Sequence, residues 1–424
     1  MKRLSILILV FLLCFAYAPN YVQAQEAISA TYSTEVEFPT LLTFNLTAKS
    51  NADITRVILN YKIDKITTVT VISEVEPDFD IGRTVDTGWT WDMRMSSLPP
   101  GAKVQYRWRI ENAAGNEFKT EWETVRFDDN RYSWKSLTED EITLYWYKGD
   151  QPFAQELLKS GLETLELLAN DTGAYLEQPV DIYIYASSTD LQGAMISPQE
   201  WTGGVAFVDY GILAIGVAPA QLTWGKRAMS HELAHLVTYQ MTYNPYGDIP
   251  TWLSEGLSMY AEGDLDLTFR ALLDNAIARD NLISVQSLSS SFPTDVAQAT
   301  LSYAESYSLV EFLIQEYGSN KMLELLDVFK QGSTYDDALE QVYGFNTTGL
   351  NDAWRLSLGL NPRDGETPAP QISPTPKPPG GFLQCRESLG QTSGGSVMVF
   401  AALGLLLLPG LGEFIRLRAK RGKG

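Results

Sequence analysis

The two histidines of this 424-residue chain stand four residues apart, His231 and His235, with Glu232 directly after the first. Residues four apart share one face of an α-helix, so both imidazoles can point at one ion. Zinc accepts imidazole nitrogen at about 2.0–2.1 Å, which two side chains one turn apart can satisfy together. Glu232 is then placed to take a proton from a water polarised by that ion. Two histidines scattered at random fall four apart roughly once in 200 chains, and a following Glu makes it about one in a few thousand. The spacing therefore points to a hydrolytic zinc site.

A catalytic zinc site commonly adds one carboxylate to two histidines and leaves a position for water. Fifteen residues after His235 the chain reads Pro250-Thr-Trp-Leu-Ser-Glu255-Gly-Leu-Ser-Met-Tyr-Ala-Glu262, with nineteen residues between His235 and Glu255. Pro250 suits a helix start. Leu253, Leu257 and Tyr260 keep an apolar stripe that leaves Glu255 on another face. Glu255 is the preferred third ligand and Glu262 its competitor.

HELAH followed by WLSEG resembles the gluzincin metallopeptidases, and most of all the peptidase MA-like family of exported bacterial proteins. The resemblance covers roughly residues 141–360. It implies a thermolysin-like catalytic domain that binds Zn2+ through His231, His235 and Glu255, with Glu232 as general base. Thermolysin-type members place an acidic residue four positions after the ligand Glu, where it orients the first histidine. Met259 stands there in this chain, so that partner is left to Glu262 or Asp264. Related families also carry a catalytic tyrosine downstream. With no third histidine to stabilise an oxyanion, Tyr307 is preferred to Tyr303 for that part, and core packing is the competing role for both. Met259 and an added N-terminal β-sandwich motivate a second reading, a catalytically degenerate binding or scaffold protein at the cell surface.

The elements that must position these residues follow an α+β order. Residues 28–128 show strand periodicity: Val104, Tyr106, Trp108 and Ile110 alternate with polar residues, Asn112 to Asn116 makes a turn, and Phe118 to Val125 reads as the return strand. Leu42-Phe44-Leu46 and Val57-Leu59-Tyr61-Ile63 repeat the pattern. This region is expected to be a β-sandwich resembling fibronectin type III or immunoglobulin modules. Such a module could contact a glycan or a protein. Residues 134–360 are expected to form the peptidase domain. In it, Ile142 to Tyr147 and Val180 to Tyr185 are strands, and Pro152 to Leu168 is an amphipathic helix. A hairpin follows over Gly204–Val208 and Ile212–Val217, and helical periods run from Ala218 to Leu358. Gly203 to Phe207 could pair with an extended peptide substrate or simply complete the sheet.

The ends place the chain outside the cytoplasm. Residues 1–24 read as a secretory signal, with Lys2 and Arg3 before an apolar run and a small-residue cleavage site at Val22-Gln-Ala24. Residues 361–393 form a Pro-rich spacer. Residues 394–412 form an uncharged apolar stretch near the minimum for a membrane span, and the basic tail 413–424 favours the cytoplasmic side. The same ending also resembles sorting tails that are cut and transferred. Of 32 basic residues, two lie in the signal and five in the tail, while only one of 52 acidic residues lies in these ends. The body between them therefore carries a formal charge near −26. That charge excludes nucleic acid as a direct partner. Cys14 leaves with the signal and Cys385 is then alone, so no disulfide framework exists. Asn45, Asn170 and Asn346 stand in Asn-x-Thr sequences, which matter in a glycosylating host.

Overall fold

The computed structural model describes residues 27–67, 69–196, 203–362 and 397–399. The signal, the spacer, the basic tail and most of the apolar stretch lie outside the described residues. No helix among the described residues is long and apolar enough to cross a membrane.

The first sheet contains β1 (Ile28–Glu37), β2 (Leu41–Ile63), β3 (Ser73–Val75), β4 (Gly82–Asp92), β5 (Ala102–Asn112), β6 (Glu117–Lys119) and β7 (Glu123–Phe127). All pairings are antiparallel. The two short apolar runs in β2 belong to one 23-residue strand. Its first half pairs with β1 and β4, and its second half with β3 and β5. The register shifts between Lys49 and Ile54, and such an irregularity bends a strand and increases its twist. The two halves meet across a shared core, with Phe44 and Tyr106 rings 5.0 Å apart and Tyr61 stacked 5.3 Å from Trp89. The layering expected of a sandwich thus arises from one continuous sheet rather than two separate ones. The expected return strand is broken in two because the Thr120 hydroxyl, rather than a backbone carbonyl, accepts from the Trp108 amide at 3.0 Å.

The second sheet has the order β13-β11-β12-β10-β9-β8, with β8 (Lys135–Glu139), β9 (Ile142–Trp146), β10 (Val180–Tyr185), β11 (Gly204–Phe207), β12 (Ile212–Gly216) and β13 (Val397–Val399). Strands β9, β10 and β12 run parallel, and β11 is antiparallel to β12. Helix α1 (Gln151–Thr172) provides the crossover that a parallel β9–β10 pair requires. Side chains alternate between the faces of a strand, and β10 shows the consequence. Ile182 and Ile184 pack with Phe153, Leu157, Met229 and Leu233 of the helices. Tyr183 and Tyr185 join the core of the first sheet. The second sheet is therefore buried on both faces, and the N-terminal β-region shares a core with the sheet that carries the site.

The remaining helices are α2 (Ser188–Gln192), α3 (Leu222–Thr242), α4 (Thr251–Ala261), α5 (Leu267–Ala278), α6 (Val285–Leu288), α7 (Val296–Tyr317), α8 (Ser319–Lys330), α9 (Tyr335–Tyr343) and α10 (Thr347–Ser357). They build a second apolar core around Trp252, Leu257, Tyr303, Val310 and Trp354. Val397–Val399, inside the stretch read as a membrane span, pair antiparallel with Val205–Phe207.

Candidate metal centre

Helix α3 carries His231, Glu232 and His235, all at most 2% exposed. The helix is buried because β11 and β12 cover one side and α4 another, so its polar residues face a closed space. Helix α4 begins after Pro250, whose extended φ of −62° and ψ of 143° turn the chain into the helix. Every residue from Trp252 to Met259 is buried, so Glu255 is enclosed by protein and not laid on a solvated face.

The three expected ligands converge. His231 Nε2 and His235 Nε2 each lie 3.6 Å from Glu255 Oε2, and one donor atom from each residue falls within 4.8 Å of the others. Two bonds of about 2.0–2.1 Å at a tetrahedral angle separate their donors by about 3.3–3.4 Å. The spacing is thus that of ligands around one ion. Glu255 Oε2 and Glu232 Oε2 are buried and accept no hydrogen bond from a described residue, a costly state unless a cation or water satisfies them. The donor set, two imidazole nitrogens and one carboxylate oxygen, fits zinc.

The far side of each imidazole is also held. His231 Nδ1 lies 2.6 Å from Glu262 Oε1, and His235 Nδ1 lies 3.1 Å from Ser254 Oγ. A carboxylate only accepts, so Nδ1–H of His231 is the donor, and Nε2 is the nitrogen that faces Glu255 and would bind a metal once it has given up its proton. Glu262 is itself fixed by Arg227, whose Nε and Nη2 donate at 3.1 and 3.0 Å to its other oxygen. Glu262 therefore stands behind His231, as the partner that Met259 cannot be. Met259 packs in the helical core. Asp264 has no contact with either imidazole among the described hydrogen bonds and ion pairs.

Glu232 leans on β11. It accepts a backbone hydrogen bond from Ala206. A Cβ on Gly204 would come within 2.8 Å of its Oε1. Burial pushes the Glu232 carboxyl up to about 8; His231 opposes this, and Glu255 and Glu262 add to it. For Glu255, burial acts upward but both histidines outweigh it, and the carboxyl falls to about 2.

The two candidate tyrosines part company. Tyr303 on α7 is 9% exposed, and its hydroxyl is raised well above its usual range by burial and by the charges of Glu255, Glu232 and Glu262. Tyr307 instead donates to Glu311 at 3.1 Å and feels Glu311, Arg270 and Asp264. Tyr303 thus feels the three carboxylates of the site, while the hydroxyl of Tyr307, the one preferred from sequence, is bonded to Glu311. Gly256 explains how α7 gets so near. A Cβ there would meet Ser306 O at 2.4 Å and Val310 Cγ2 at 2.6 Å, so only glycine permits this approach of α4 and α7.

Residues 161–359 match the Peptidase MA superfamily. The matched stretch contains the buried His–His–Glu cluster. Among solved structures, a mutant M1 zinc metallopeptidase from Deinococcus radiodurans bound to a Tyr-Ser-Ala substrate shares 12% identity. The match covers 82% of this chain and 97% of that one, with a TM-score of 0.33. The structural-genomics target SoR45 shares 12% identity over 25% of this chain and 89% of its own, at a TM-score of 0.20. The sporulation control protein Spo0M from Bacillus subtilis shares 12% identity over 33% of this chain and 56% of its own, at 0.17. These TM-scores lie below 0.5, and the functional reading rests on the superfamily match and the site. No curated protein matches the chain.

Proposed function

We propose that this protein is a zinc-dependent peptidase of the gluzincin type. One observation carries the reading: two imidazole nitrogens and one carboxylate oxygen converge in a buried site, with a second, uncoordinated carboxylate beside them. Zinc held by His231, His235 and Glu255 would polarise the scissile carbonyl and lower the pKa of a water. The chain's own residues then do the following. Glu232 accepts the proton of the attacking water at its carboxylate and returns it to the leaving nitrogen. Glu262 and Ser254 hold the imidazoles by their Nδ1 atoms. Tyr303 stays protonated, because burial and three neighbouring carboxylates disfavour its anion, and donates to the oxyanion that develops. The outer edge of β11 binds the substrate backbone, taking the place of Val397–Val399. Of the two motives for the degenerate-scaffold reading, Glu262 behind His231 answers the one that Met259 supplied.

The test is Glu232→Gln in the full chain, beside Glu255→Ala. Glu232→Gln should keep about one zinc per chain and lose peptide hydrolysis, whereas Glu255→Ala should lose the zinc. Full hydrolysis by Glu232→Gln would sink the assignment. We also propose that the chain is exported and held at a membrane by residues 394–412, with the globular part outside. Insertion of Val397–Val399 into a bilayer and their pairing with β11 exclude one another, so anchoring frees the substrate edge. A full chain that leaves the membrane fraction in alkaline carbonate would refute this.

A further inference from the structure

A cavity of about 500 Å³ lies beside the candidate metal centre, on the side where Ser254 meets His235, within the usual range of about 300–1,000 Å³ for ligand clefts. His235 and Ser254 form its inner end, and both elements that carry the site lead into it. Along α3, Thr238 and Thr242 continue the His235 stripe for two turns, roughly 10 Å at a rise of about 1.5 Å per residue. Strand β11 passes Glu232 and then runs out into Val208 and Asp209, which form another wall. An extended chain lying on β11 with its scissile bond at Glu232 would therefore enter the cavity. At about 3.3 Å per residue, the two turns of α3 accommodate about three residues of it.

The outer wall comes from the N-terminal sheet. The loop between β2 and β3 is tied down where Ile66 N–H donates to Asp209 O at 2.7 Å and Lys65 lies 3.8 Å from the Asp209 carboxylate. Tyr239 donates to the same carboxylate at 2.5 Å. The charge of Asp209 is thus used up inside the protein, while Ile63, Ile66, Val208 and Ile249 leave apolar surface on the cavity wall. At its mouth, Val69 and Val71 stand 66% and 69% exposed, an unusual place for two valines unless something apolar covers them.

We infer that this cavity binds up to about three residues of a polypeptide on one side of the scissile bond, selecting apolar side chains. The β-region is then part of the specificity apparatus of the peptidase. The inference rests on the peptidase reading, and it names the substrate class of the same site.

The experiment uses zinc-loaded full chain, a library of peptides read by mass spectrometry, and the double variant Val69→Asp, Val71→Asp. Both positions are exposed, so the substitutions leave the core alone. Wild type should favour apolar residues within three positions on one side of the cleaved bond. The double variant should keep its zinc and lose at least about tenfold in kcat/KM on an apolar reporter peptide. It should recover much of that loss on the same peptide carrying Lys at those positions. Wild-type cleavage without an apolar preference, or a preference that the double variant leaves unchanged, would overturn the inference and leave the peptidase reading standing. Zinc-loaded wild type that cleaves no peptide would overturn both.

Discussion

Glycine 204 gives the sharpest handle on the catalytic geometry. Its φ is not in the left-handed region, so the backbone of β11 accepts alanine. The added Cβ, however, would lie 2.8 Å from Glu232 Oε1 and 3.3 Å from Cδ and Cγ of the same side chain. Non-bonded heavy atoms settle at about 3.5 Å, so the carboxylate must retreat by roughly 0.7 Å. The cheapest movement is rotation of the Glu232 side chain, because β11 is held along its length by antiparallel pairing with β12. A misplacement of about 1 Å at a reacting group can cost on the order of a hundredfold in rate, so Gly204→Ala should lower kcat/KM by about 10- to 100-fold, or about 1.4–2.7 kcal/mol. Steady-state kinetics on a fluorogenic peptide, with zinc stoichiometry and a thermal melt in parallel, read the outcome. Zinc and melting temperature should stay at wild-type values. Placed on Glu232→Gln, the glycine substitution should cost almost nothing more, since both act on one group. Turnover within twofold of wild type would refute the reasoning, and so would a loss of zinc, which would mean that the strain reaches the ligands.

Glu262→Ala removes the acceptor behind His231 and should weaken zinc binding about 10- to 100-fold in a chelator competition; unchanged affinity would show that His231 needs no partner there. Tyr303→Phe should lower kcat by at least about tenfold with little effect on KM, while Tyr307→Phe should leave kcat near wild type; the opposite order would place the wrong tyrosine at the oxyanion. For His231, burial acts downward, but Glu255 and Glu262 outweigh it and hold the imidazole up to about 9 in the metal-free protein. Zinc must displace that proton, so its affinity should rise by about tenfold per unit between pH 6 and 8 and level off above about 9. A flat profile from titrations at fixed ionic strength would contradict the sign.

What could be read in advance was what local spacing decides. His231, Glu232 and His235 lie within five residues of one helix, and Glu255 stands inside a second short helical pattern, so periodicity alone presents them correctly. Glu262 was harder because α4 ends at Ala261 and Glu262 is its cap; face-counting stops where the helix stops. Tyr303 and Tyr307 share a face of α7, and which one reaches the site depends on the close crossing at Gly256, a tertiary fact. The small and polar run Ser50-Asn-Ala-Asp53 separates the two apolar runs, and β2 passes through it with a register shift. The sharing of a core between the two sheets was equally hidden. Tyr183 and Tyr185 alternate with Ile182 and Ile184 as in any buried strand, and nothing in that alternation says which layer lies on which side.

The two carboxylates nearest the imidazoles show how one buried site separates its roles. Glu232 and Glu255 are both enclosed, and desolvation alone would push each toward the neutral form. Glu255 lies between two imidazole nitrogens at 3.6 Å, and their positive potential keeps it ionised, as a ligand must be. Glu232 has the backbone of β11 on one side and the charges of Glu255 and Glu262 nearby, so its proton is held up to about 8. A base is most effective when its proton affinity lies near the working pH, and Glu232 is the carboxylate placed to meet that condition. A bound dication would draw its pKa down, and more so for Glu232 the nearer its oxygens lie to the ion. Glu255 has no such range left, being ionised already. The division of labour therefore follows from which carboxylate the histidines face, and exchanging the roles would require moving the imidazoles rather than the acids.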